Sequence, residues 1–171
     1  HACGAIDGRT GSNSLEALEA TYAKGGRFIE VDFNWTTDGK LVCIHDFSAW
    51  FSPAFSNGAV SLATFMNTKI YGQYTSMSLE TIANWVDAHP DVYIIPDVKE
   101  APVAALQKIA NDYPALVAHI IPQIYEKDQL DSVRNAGYKH IILTVYAMKV
   151  WQDKYDAKML ATFARKNGLF G

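Results

Sequence analysis

The chain has 171 residues, 49% of them hydrophobic and 19% charged, with a net charge of −3. That is enough for one soluble globular domain with a real core. The acidic balance argues against a broad nucleic-acid surface, no apolar run is long enough to span a bilayer, and no signal-peptide pattern is present. Cys3 and Cys43 set no disulfide framework, and Cys43, inside an apolar run, reads as a small buried hydrophobe.

The chain opens on His1-Ala2-Cys3-Gly4 and a Gly-rich polar loop through Gly11. A helix follows, capped by Ser12 or Asn13, with Leu15, Leu18 and Tyr22 on one face and Gly25-Gly26 at its end. Phe28 to Phe33 and Leu41 to Ile44 read as two strands joined by the turn Thr37-Asp38-Gly39-Lys40. Glu30 and Asp32 stand at i and i+2, so alternation puts both carboxylates on one face, roughly 6.5 Å apart along the strand. Two like charges so close repel, unless a hard cation such as Mg²⁺ or Ca²⁺ sits between them; simple exposure to water is the bland alternative. The second strand runs into His45-Asp46.

Asp46 to Ser76 is rich in Ser, Phe, Tyr and Gly and has no clear period, as in a functional lid or rim. Its Trp50, Phe51 and Phe55 could form an apolar lip able to touch a membrane; a small satellite core under the loop is slightly favoured. Ser78 starts a helix with Glu80 and Thr81 in its first turn and Ile82, Trp85 and Val86 on one face. Beyond it, expected strands at Val92–Val98, His119–Tyr125 and His140–Tyr146 alternate with helices. The helices are expected at Pro102–Tyr113, Leu130–Ala136 and Ala157–Lys166, the last with Met159, Leu160 and Phe163 facing inward. That alternation predicts parallel βαβ units. Polar residues recur at the C-terminal strand ends: Glu30 and Asp32, His45 and Asp46, Asp97 and Lys99, Gln123 and Tyr125, Thr144 and Tyr146. A (β/α)₈ TIM-type barrel carries its active site at that end. His89 is expected to be exposed at a helix end, and His119 and His140 to open strands at the opposite end of the barrel.

Taken together, His1, Glu30-Val31-Asp32, Thr37-Asp38-Gly39, His45-Asp46 and Asp97-Val98-Lys99 resemble the glycerophosphodiester phosphodiesterases. Asn13-Ser14-Leu15 is similar to that family's Asn-Thr-Leu helix start. The resemblance implies a TIM-type barrel and metal-dependent cleavage of a small phosphodiester, a glycerophosphodiester or lipid head group. It implies a divalent metal, Mg²⁺ or Ca²⁺, on Glu30, Asp32 and Asp97, and His1, His45 and Lys99 in the catalytic roles. Gln123, Tyr125, Trp35 and Tyr146 are the expected substrate contacts, and Asp46 is expected to orient His45 or a neighbouring loop rather than bind metal. The nucleophile could be the glycerol hydroxyl beside the phosphate, giving a cyclic intermediate. The family's Arg after the first His is here Ala2; the related sphingomyelinases D also lack that Arg, so a phospholipase of that kind, or an inactive barrel that binds phosphorylated glycans or lipid head groups, are the alternatives. A whole barrel takes about 250 residues, so the first strand, most of the seventh and the eighth are expected to lie outside these 171.

Overall fold

The computed structural model describes residues 1–145 and 156–171. The chain divides into two compact units, His1–Ala101 and Pro102–Gly171.

The first unit is built on a three-stranded sheet in the order β2-β1-β5, with β1 at Phe28–Trp35, β2 at Leu41–Cys43 and β5 at Tyr93–Val98. The β1–β2 hairpin is antiparallel and pairs Phe33 with Cys43. Its turn closes where Thr36 both donates to and accepts from Lys40, with Gly39 at φ 68°. β1 and β5 run parallel with Glu30 opposite Ile95 and Asp32 opposite Asp97. Opposed residues in a ladder share a face, so Glu30, Asp32 and Asp97 project from the same side. Ile29, Val31 and Phe33 bury the other side completely or nearly so. Helix α1 (Leu15–Ala23) begins at Ser14, whose Oγ accepts from the Ala17 amide. It does not begin at Ser12 or Asn13, because Asn13 takes a left-handed φ of 46° and directs its side chain elsewhere. Helix α3 (Leu79–Ala88) starts at a capping box between Ser78 and Thr81 and buries Ile82, Trp85 and Val86. His89 closes it half-buried rather than exposed, because its ring stacks on Trp85 at 4.0 Å and meets Tyr22 edge-on.

The aperiodic stretch after Asp46 holds a 3₁₀ turn (Pro53–Phe55), a short helix α2 (Leu62–Met66) and a small hairpin, β3 (Lys69–Ile70) with β4 (Tyr74–Thr75). Phe51, Phe55, Phe65, Ile70 and Tyr74 bury together against Val42 and Ile44. Phe55 and Phe65 stack at 5.6 Å, and Phe47 meets both edge-on. The satellite core is therefore real, and only Trp50 of its named aromatics stands out in solvent, at 78% exposure.

The second unit contains α4 (Pro102–Asp112), a 3₁₀ turn (Pro114–His119), β6 (Gln123–Ile124), α5 (Gln129–Asn135), β7 (Ile142–Leu143) and the helix Ala157–Lys166. The strand expected over His119–Tyr125 is corrected to two residues. Pro114 sets the first turn of a 3₁₀ helix that runs through His119, and Pro122 has no N–H to give a ladder. His119 thus ends a turn instead of opening a strand. The strand expected over His140–Tyr146 is likewise only Ile142–Leu143 within the described residues, paired in parallel with β6. His140 is exposed and packs edge-on against Phe170. Phe170 donates to the Ile141 carbonyl and Gly171 accepts from Leu143, so the end of the chain lies along β7. In the last helix Leu160 is buried as expected, but Met159 is 46% exposed.

Candidate active site

Three carboxylates meet on one face of β1 and β5. Glu30, Asp32 and Asp97 each offer an oxygen, and these atoms lie within 4.8 Å of one another. The parallel register places Asp32 beside Asp97, and the two-residue period of β1 adds Glu30. Asp32 and Asp97 are 5% and 7% exposed. Lys99, two residues beyond Asp97 on the same side, places Nζ 2.5 Å from Asp97 Oδ2 and 3.3 Å from Asp32 Oδ1. Burial works against its charge, but the hydrogen bond and charge of Asp97, with Asp32 behind them, hold the ammonium above its usual range. Glu30 is shifted up as well, which for a carboxyl disfavours the charged form: burial first, then the Asp32 charge, push it up.

The loop before α1 closes over Glu30. Ala2 donates its amide to Glu30 Oε2 at 2.6 Å, and Cys3 donates to the Glu30 carbonyl at 2.9 Å. Ala2, Cys3 and Gly4 all have positive φ, of 51°, 64° and 100°. Such consecutive left-handed residues are costly for Ala and Cys, and their amides are turned onto Glu30 by it. Gly4 is required sterically as well, since a Cβ there would lie 2.2 Å from Thr21 Oγ1. His1 is carried by this turn, with Nδ1 3.5 Å from Glu30 Oε2 and its side chain 98% exposed. Asn13 reaches Asp32 twice, giving Nδ2 to Oδ2 at 2.9 Å and accepting the Asp32 amide on Oδ1 at 3.0 Å.

His45 leaves β2 and holds Asp46: Nδ1 to Oδ2 is 2.8 Å, with both side chains about half exposed. Its carbonyl accepts from Asn34 Nδ2 on β1. Trp35 donates its indole N–H to the Glu100 carbonyl at 2.9 Å. Gln123 accepts the Thr144 hydroxyl at 2.6 Å across β6 and β7, and Tyr125 belongs to the same second unit. Tyr146 lies outside the described residues. Short contacts thus join His1, Glu30, Asp32, Asp97 and Lys99 in one cluster, while His45 pairs with Asp46. Cys3 and Cys43 are both buried free thiols, and burial foremost pushes each thiol up, away from reactivity.

The sequence of residues 4–161 matches the glycerophosphoryl diester phosphodiesterase family. The chain belongs to that family. Its members are phosphoric diester hydrolases, and the chain is accordingly an enzyme of this class. A solved glycerophosphoryl diester phosphodiesterase from Parabacteroides distasonis superposes with a TM-score of 0.67 at 18% identity, covering 99% of this chain and 68% of its own. A structure from Agrobacterium tumefaciens gives 0.69 at 18% identity, covering 99% and 71%. One from Galdieria sulphuraria gives 0.67 at 15%, covering 95% and 77%. At such identities the likeness is one of fold, and it makes this mixed α/β chain TIM-barrel-like. For the family's chemistry, the donor set found here fits a hard divalent cation: three carboxylates, no soft ligand, and oxygens close enough to share one ion. Sequence reasoning placed Asn13 near a helix start and missed its grip on Asp32. An Asn just before an N-cap serine gives no sign of what its amide will reach.

Proposed function

We propose that the protein hydrolyses a glycerophosphodiester to glycerol phosphate and an alcohol, with a divalent metal, Mg²⁺ or Ca²⁺, held by Glu30, Asp32 and Asp97. The observation that carries this reading is the three-carboxylate cluster with Lys99 against it, in a chain of this family. When bound, the cation would supply Lewis-acid polarisation of a phosphate oxygen. Lys99 has a side chain 34% exposed and can turn its ammonium toward a phosphate in front of the cluster, where charge builds as the bond to phosphorus forms. His45, held through Nδ1 by Asp46, presents Nε2 for proton transfer. His1 supplies the second imidazole, beside Glu30. Between them the two rings take the proton of the attacking glycerol hydroxyl and return one to the leaving alkoxide, so that one P–O bond forms as another breaks. Water then opens the resulting cyclic phosphate to glycerol phosphate, giving one proton to an imidazole while the released glycerol oxygen takes one back. Trp35 would contact the substrate from β1, and the 171 residues would form one domain of (β/α)₈-barrel type. A phospholipase of the sphingomyelinase D kind is the second reading, favoured by Ala2 in the place of the family's Arg and by the exposed Trp50.

Release of glycerol phosphate from glycerophosphocholine, with and without EDTA, tests the assignment. Turnover should vanish with EDTA, return with Mg²⁺ or Ca²⁺, and fall by about 10²–10⁴ in His45→Ala. Equal turnover in EDTA would sink the metal reading. Turnover of micellar phospholipid but not of glycerophosphocholine would favour the second reading.

A further inference from the structure

Asn13 is a fully buried amide to which the reaction assigns nothing. It holds Asp32 at both ends: its Nδ2–H donates to one carboxylate oxygen, and its own oxygen takes the Asp32 main-chain N–H. The other carboxylate oxygen, Oδ1, faces Lys99. Asn13 is itself fixed, since its main-chain N–H donates to the Ala2 carbonyl at 3.3 Å and the next residue, Ser14, caps α1. On this edge of β1, Cys3 donates to the Glu30 carbonyl and Asn13 accepts from the Asp32 amide, so a loop and a side chain stand where a neighbouring strand would pair.

We infer that Asn13 is a positioning residue, which turns Asp32 so that only Oδ1 faces the cluster and Asp32 gives a cation one fixed ligand. The inference rests on the metal reading above. An amide suits the task because it carries a donor for the carboxylate and an acceptor for the main chain on one rigid group. The bond to the carboxylate is charge-assisted and dry, so it orients strongly. The competing explanation is conformational: Asn13 is retained only because Asn tolerates φ 46°.

Mn²⁺ titration of the whole chain, followed by the loss of the free-ion EPR signal, separates the two. Asn13→Gly keeps the left-handed backbone and removes the amide; Asn13→Asp keeps the shape and the acceptor and removes the donor. Both should bind Mn²⁺ at least about tenfold more weakly than wild type, as removal of partners behind metal ligands does elsewhere. Wild-type affinity in Asn13→Gly would overturn the inference and leave the metal reading standing. Absence of Mn²⁺ binding by the wild type would overturn both, and would mark the metal reading as the cause. If Asn13→Gly does not fold, Asn13→Asp decides. Its added negative charge alone would tighten a cation, so unchanged or tighter binding overturns the inference and weaker binding supports it.

Discussion

The carboxylate site on β1 and β5 and the aromatic core after Asp46 are held by opposite means. The site is polar and self-repelling, and it exists because main-chain register, the Ala2 amide, Asn13 and Lys99 place its groups. The aromatic core is apolar and largely irregular, and it exists because Phe55, Phe65 and their neighbours fill one another's gaps. One region spends stability on placing charge, and the other supplies stability by packing. Val42 and Ile44 belong to the aromatic core and lead directly into His45.

Truncating the packed region should therefore cost stability without costing metal. Phe65→Ala removes a fully buried ring and should destabilise the protein by about 3–5 kcal/mol in urea unfolding, while Mn²⁺ affinity of the folded fraction stays at the wild-type value. A parallel loss of affinity would show that the two regions are not separable.

A smaller effect comes from the bond that ties the aromatic region to α1. Glu16 accepts from the Thr75 amide and hydroxyl at 2.8 and 2.7 Å. Partial burial pushes its carboxyl up, but the Thr75 bonds, helped by Lys69, outweigh this and hold it below its usual range. A depressed carboxyl contributes stability that is whole above its unfolded value and is lost as pH falls through the folded one. Wild type should accordingly exceed Glu16→Gln in thermal stability at neutral pH, and the gap should close on acidification below the ordinary glutamate range. A gap that is constant with pH would sink the ionic account.

Ser78→Ala should cost about 1 kcal/mol by removing the α3 cap, with metal affinity unchanged. Trp50→Ala should shift stability by no more than about 0.5 kcal/mol, since the ring is exposed. If the exposed indole serves a lipid surface, the same variant should lower binding to phosphatidylcholine vesicles, whereas unchanged binding would remove it from that role.

Much of the first unit was legible because its signals are local. Alternation about Glu30 and Asp32, the Asp38-Gly39 turn and the Ser78 cap each act within a few residues, and the structure reproduces them. The second unit was less so. A run such as Ile120-Ile121-Pro122 is apolar enough for a strand, yet Pro122 cannot donate and Pro114 starts a 3₁₀ turn, so only Gln123–Ile124 pair. The site's residue types could be named from their spacing, but not what places them. Asn13 acts on Asp32 across 19 positions, and the left-handed turn at Ala2 and Cys3 shows in no propensity.

The most direct test of the central claim is an anomalous difference map from crystals soaked in Mn²⁺. A single strong peak among Glu30, Asp32 and Asp97, about 2.0–2.6 Å from one oxygen of each, is the predicted result. A map with no peak there, or with Lys99 still bridging Asp32 and Asp97 while manganese sits elsewhere, would contradict it.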